Sequence, residues 1–149
     1  MTNKFKYMQL RILDDHLSRV SVCDRPSSGW IRAVRTSLGM SVRQMAERIG
    51  ITQQSAARLE KNEVGDAITL KSLRKAAEAL DCRLVYALVP NEGSLRDIVR
   101  RQALRKAGDI VGPVDHSMML EAQYVGDKQE KTGQIADELA RNPDTRLWD

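Results

Sequence analysis

In the stretch LGMSVRQMAERIGITQQSAARLEKN, residues 38–62, Gly39 and Gly50 break a helical periodicity into short runs, and a hydroxyl side chain follows each break. This punctuation constrains the fold more than any other feature of the chain. Glycine takes the positive φ that stops a helix, and Ser41 and Thr52 can then accept the orphan N–H groups of the next one. Helices this short are marginal alone, so they must bury their apolar faces against each other. Ala46 precedes Gly50 by four residues, and so small a side chain lets two helices cross closely. Met45, Ile49, Ile51, Ala56 and Leu59 fill the angle between them. The spacing predicts a helix-turn-helix.

The flanks extend the helical pattern. Leu10, Leu13, Leu17 and Val20 mark one face of a helix over about 6–20. RPSSG at 25–29 interrupts it and offers a serine cap. A helix over about 29–37 turns Ile31, Val34 and Leu38 inward. NEVGDA reads as a loop. Thr69 caps a helix with Leu70, Leu73, Ala77 and Leu80 on its inner face. RLVYALVP at 83–90 is short, apolar and β-branched, and reads as a strand stopped by Pro90. A lone strand cannot satisfy its own edges, so it needs a partner from the same chain or from a second copy. Ser94 and Asp97 form a capping pattern for a helix over about 95–108. A last amphipathic helix spans about 128–141, with Ile135 and Leu139 inward.

Once Ala56 and Leu59 face the core, Gln53, Gln54, Ala57, Arg58 and Lys61 fall on the outer faces of their helix. Glutamine gains nothing by opening a buried helix. At the N-terminus of a helix lying in the major groove, its amide matches the donor and acceptor edge of adenine. Arg58 can reach guanine or phosphate. Thr52, Ser55, Ser41, Arg43 and Lys61 complete the candidate DNA-binding set. The partial positive charge at the helix N-terminus adds attraction for the backbone.

This segment resembles the helix-turn-helix of the lambdoid phage repressors and the wider Cro/C1 (Xre) family, in the TQQS start and in the Leu59-Glu60 pair near the helix end. The resemblance implies a lambda-repressor-like domain in which Gln53 and Gln54 read bases and Arg35 and Glu60 form a buried structural pair. One position departs from the pattern. Such repressors often carry a phosphate-binding glutamine where this chain has Val42, so Arg43, Ser41 or a backbone amide must substitute.

Outside that segment, LVYALVP, the following GSL, HSMMLE and the terminal LWD resemble the helix-turn-helix family named mobile mystery protein A, over roughly 30–149. Its members are typically encoded beside a Fic-domain protein. That resemblance implies an antitoxin that binds a Fic-domain toxin. Fic inhibitors carry [Ser/Thr]-x-x-x-Glu-[Gly/Asn], and Ser117 and Glu121 fit the first five positions while Ala122 departs at the sixth. The glutamate would occupy an arginine that otherwise positions a nucleotide phosphate.

Composition agrees with this outline. Apolar residues make up 42% of the 149 but aromatics only 4%, so the core is aliphatic. The net charge of +4 is unevenly spread, with the basic field in the first two-thirds and acidic residues in excess after Glu121. Arg96, Arg100, Arg101 and Arg105 read as a solvated helix face, with phosphate contact as the alternative. Cys23 and Cys82 lack ligand spacing and read as reduced thiols. His16 and His116 stand without ligand partners, and Asp14-Asp15 reads as a surface pair. No P-loop, GxGxxG, GxSxG or HExxH is present, so no enzyme, metal or other cofactor is expected. No apolar run reaches membrane-spanning or signal-peptide length, which points to the cytoplasm.

The expected architecture is mainly α. An N-terminal helix and linker occupy 1–27, the helix-turn-helix domain 28–82, and a strand with a C-terminal helical partner-binding or dimerisation region 83–149. The expected function is an operator-binding, autorepressing regulator acting as a homodimer, and the antitoxin of a Fic-domain toxin. The alternatives are a phage-type repressor with no toxin partner, and a toxin neutraliser with only weak DNA binding.

Overall fold

The computed structural model describes residues 3–112 and 122–149. It is helical: α1 (Asn3–Leu17), α2 (Trp30–Ser37), α3 (Val42–Ile49), α4 (Gln53–Val64), α5 (Leu70–Ala79), α6 (Leu95–Val111) and α7 (Ala122–Arg141), closed by a 3-10 turn at Thr145–Leu147. Two compact units form, one from Ser21–Tyr86 and one from Met1–Val20 with Ala87–Asp149.

In the first unit, α2 to α5 enclose an aliphatic core of Ile31, Met45, Ala46, Ala56, Ala76 and Leu80, with Val34, Val42, Ile49, Ile51 and Leu59 packed against it. The caps follow from the sequence. Ser41, Thr52 and Thr69 each accept from a backbone N–H three residues on. The start of α2 differs from expectation. No serine of RPSSG caps it; its N-cap is Gly29, which has no side chain to offer. The cap comes instead from Glu63, whose carboxylate accepts from Trp30 N at 2.7 Å and Ile31 N at 2.9 Å. The segment NEVGDA is therefore not simply a loop, because α4 runs on to Val64 in order to carry Glu63 inward.

In the second unit, α6 packs on α1 and α7. Val99, Ala103 and Ala107 recur every four residues along α6, and their small size brings α7 close at Ala136. Leu147 is buried in the same core, and its carbonyl accepts from Gln102 Nε2 at 2.9 Å. Asp14 corrects the surface-pair expectation. It is buried on α1 and accepts from Leu95 N at 2.7 Å, Arg96 N at 3.2 Å and Arg96 Nε at 3.0 Å. Ser94 and Asp97 form the capping box of the same helix. Together these groups satisfy the first three N–H donors of α6, which would otherwise be orphans.

Several inward assignments shift by part of a turn. Leu13, Val20, Leu38 and Leu70 are exposed, and buried positions fall on Asp14 in α1 and on Ala76 and Ala79 in α5, while Leu80 is buried as expected. Apolar spacing marks a broad stripe, and neighbouring helices decide which part of it is covered. The strand expected at 83–90 does not form within one chain. Among the described residues there is no second strand to take its ladder bonds.

Candidate nucleic-acid interface

The turn between α3 and α4 is built around two backbone choices. Gly50 holds φ +83°, and both Gly50 N and Ile51 N donate to the Ala46 carbonyl, at 2.9 and 3.0 Å. A Cβ on Gly50 would meet nothing within 4 Å, so glycine is required there for its φ and not for space. Ala46 and Ala56 are buried where α3 crosses α4. Packing fixes α4 from beneath and leaves Gln53, Gln54, Ala57, Arg58 and Lys61 exposed along its outer side.

A nearly buried ion pair sets the angle of α4. Arg35 Nε donates to Glu60 Oε1 at 2.5 Å and Nη2 to Glu60 Oε2 at 3.3 Å, while Nη1 donates to the Met40 carbonyl at 2.8 Å. The two side chains are 9% and 11% exposed. One guanidinium thus ties α2, α4 and the turn that enters α3. The planar fork of arginine aims parallel donors at both carboxylate oxygens and a third at the carbonyl, a geometry that the compact ammonium of lysine does not match.

The remaining candidate residues divide by what they already do. Thr52 Oγ1 accepts from Ser55 N at 3.1 Å and donates to Ser55 Oγ at 2.9 Å, so those hydroxyls shape the start of α4. Arg43 lies 3.7 Å from Glu47 in an exposed pair, a contact too weak in water to keep it from a stronger anion. Arg58 and Lys61 make no ion pair among the described residues. Ser117 and Glu121 lie outside the described residues.

At the start of α3, Val42 packs against the core. Ser41 Oγ accepts from Gln44 N at 3.2 Å, and Gln44 Oε1 accepts from Ser41 N at 2.8 Å. That leaves the Val42 and Arg43 N–H groups and the Gln44 amide protons without a protein partner among the described residues. An anion at this helix start would meet backbone donors first. Gln44 went unnoticed in the sequence, although Ser41-x-x-Gln44 is a capping-box spacing that could have revealed it.

Four helices with this turn, this core and an outward polar row on α4 define a helix-turn-helix domain. Residues 31–86 match the HTH_3 helix-turn-helix family, and this stretch is an Xre/Cro-type domain. No curated protein and no solved structure matches the chain. Among the described residues, no helix is long and apolar enough to cross a membrane.

Proposed function

We propose that this protein is a sequence-specific regulator of transcription that binds double-stranded DNA with α4 in the major groove. The observation that carries this reading is the exposed row Gln53, Gln54, Arg58 and Lys61 on a helix whose opposite side is locked into the core at Ala56. Gln53 and Gln54 stand at the helix N-terminus and pair with adenine edges. Arg58 takes guanine or phosphate. Lys61, Arg43, Ser41 and the free amides at the start of α3 hold the sugar-phosphate backbone, with Thr52 and Ser55 fixing the approach of α4. A homodimer reads a palindrome whose half-sites lie about 34 Å apart, one turn of DNA.

The test is fluorescence anisotropy on DNA from just upstream of the gene and on a scrambled duplex, across a salt series. Tight binding to the upstream duplex, lost in Gln53→Ala/Gln54→Ala, supports the reading. Equal, salt-sensitive binding to both duplexes, unchanged by the substitutions, defeats it.

The resemblance to mobile mystery protein A adds a narrower role, an antitoxin that binds a Fic-domain toxin and represses its own operon. The segment Ser117–Glu121 supports it, with Glu121 as the inhibitory carboxylate. Co-expression with a Fic protein encoded beside the gene tests it. Protection lost in Glu121→Ala supports inhibition, and toxicity that the wild-type chain does not relieve defeats it.

A further inference from the structure

The run Arg83–Pro90 combines strong β-forming residues with bare surroundings. Val85, Tyr86 and Leu88 are 73%, 65% and 89% exposed. Among the described residues, no backbone–backbone hydrogen bond involves residues 83–91. Unpaired N–H and C=O groups beside exposed apolar side chains form a template for another strand. Next to the run lies an apolar groove of about 610 Å³, lined by Trp30, Val34, Leu70 and Leu73 and by Leu84 and Tyr86 of the run itself.

We infer that this surface seats a second copy of the chain: residues 84–88 of two copies pair antiparallel about a two-fold axis, and their side chains cover both grooves. The run is complementary to itself. Centred on Tyr86, the pairing sets Leu84 opposite Leu88 and Val85 opposite Ala87, so apolar groups meet apolar groups. Arg83 is the one charge between residues 83 and 90. It falls opposite Val89, and the two arginines stand at opposite ends, about 20 Å apart at the usual strand rise.

Val85, Tyr86, Trp30 and Leu70 of the first unit together expose on the order of 450 Å² per copy, over half of the roughly 800 Å² each partner buries in a standard interface. Pro90 has no N–H and stops the ladder from lengthening. Residues 84–89 carry no charge for a polar partner to recognise, so the run is matched best by an apolar run like itself. The assembly provides the two-fold axis that a palindromic operator requires, yet it stands on the run and the groove and not on DNA binding.

The test uses the full chain without DNA. Light scattering at tens of micromolar is expected to give twice the chain mass, and hydrogen exchange is expected to slow at alternate amides of residues 84–88, those that face the partner strand. Leu88→Asp and Ala87→Pro, both at exposed positions, are expected to run at the single-chain mass with unchanged helical circular dichroism. A wild-type monomer at these concentrations overturns the inference. So does a dimer that persists in both variants, or one whose amides at 84–88 exchange as fast as in a free peptide. Anisotropy on the upstream duplex separates the two claims. A monomer that binds that duplex defeats the interface alone, and a dimer that ignores it defeats the regulator alone.

Discussion

The Glu63 carboxylate stands where a side chain on residue 29 would be: a Cβ on Gly29 would meet Glu63 Oε2 at 2.9 Å. Gly29 also holds φ +80°, so glycine is required there twice over. Its lack of a side chain opens the space through which α4 caps α2. Gly29→Ala is expected to destabilise the chain by about 1–3 kcal/mol from backbone strain alone, because φ +80° with ψ 158° is a region that only glycine adopts readily. Glu63→Ala orphans two N–H donors and should cost about 1–3 kcal/mol. Glu63→Gln keeps one acceptor and should fall between Glu63→Ala and wild type. Urea unfolding checks the series, and a Glu63→Ala midpoint equal to wild type would remove the cap from the account.

Asp14 performs the same service for α6, from a helix that lies 81 positions earlier in the chain. Asp14→Ala is expected to cost about 1–3 kcal/mol, because Leu95 N and Arg96 N lose their acceptor. Asp14→Asn retains one oxygen and should cost less. Hydrogen exchange at the first turn of α6 reads this directly: those amides should exchange faster in Asp14→Ala while the core of α4 keeps its protection.

Much of this fold can be read from the sequence because its signals are local. Ser41, Thr52, Thr69 and Ser94 each act within three residues, and Gly50 marks its turn by its own φ. The outward row on α4 follows from the same periodicity that buries Ala56. Glu63 and Asp14 escaped because a carboxylate that caps a distant helix looks, in sequence, like any solvated acid. The run at 83–90 shows the converse: its β-forming residues are plain, but strand formation depends on a partner that one chain does not supply. Val42 reads as a departure in the sequence alone, whereas the amides left free at the start of α3 depend on where Gln44 lies.

Removing one partner of the Arg35–Glu60 pair leaves a nearly buried charge. Arg35→Ala and Glu60→Ala should each cost about 3–5 kcal/mol. Replacing both by apolar residues, Arg35→Met with Glu60→Leu, should recover much of that loss. The double variant still lacks the bond from Arg35 to the Met40 carbonyl, so its DNA affinity should recover less than its stability. A double-mutant cycle on urea midpoints, with anisotropy beside it, separates the two effects.

Acid should loosen α6 and the C-terminal turn late. Hydrogen bonds from Ser94, through its side chain and then its backbone, hold Asp97 below the ordinary aspartate value of 3.8. The side-chain bond from Arg146 does the same for Asp144. A carboxylate lowered on folding contributes stability that is complete above 3.8 and is lost as pH falls through the lower folded value. Asp97→Asn should therefore lower the stability of α6 near neutrality, where the carboxylate's contribution is complete, and flatten its pH dependence below 3.8. Exchange or helicity followed from pH 5 downward checks this, and equal acid profiles for variant and wild type would refute it.

Base-reading and backbone-holding residues should fail differently. Gln53 and Gln54 lie at the N-terminal end of α4, and each amide offers a donor and an acceptor to one base edge. Losing a good bidentate contact costs about 1–3 kcal/mol of discrimination, roughly 5- to 150-fold. Gln53→Ala and Gln54→Ala should thus lower affinity for the upstream duplex, leave the scrambled duplex almost unaffected, and keep the salt slope. Lys61→Ala should lower both affinities together and reduce the salt slope by about 1, because one phosphate contact is gone. Arg58 decides its own role by which pattern it follows: lost discrimination places it on a base, and a shallower slope places it on phosphate. Anisotropy titrations of the four single variants at several salt concentrations make the comparison. If all four behaved like Lys61→Ala, α4 would contact DNA without reading it.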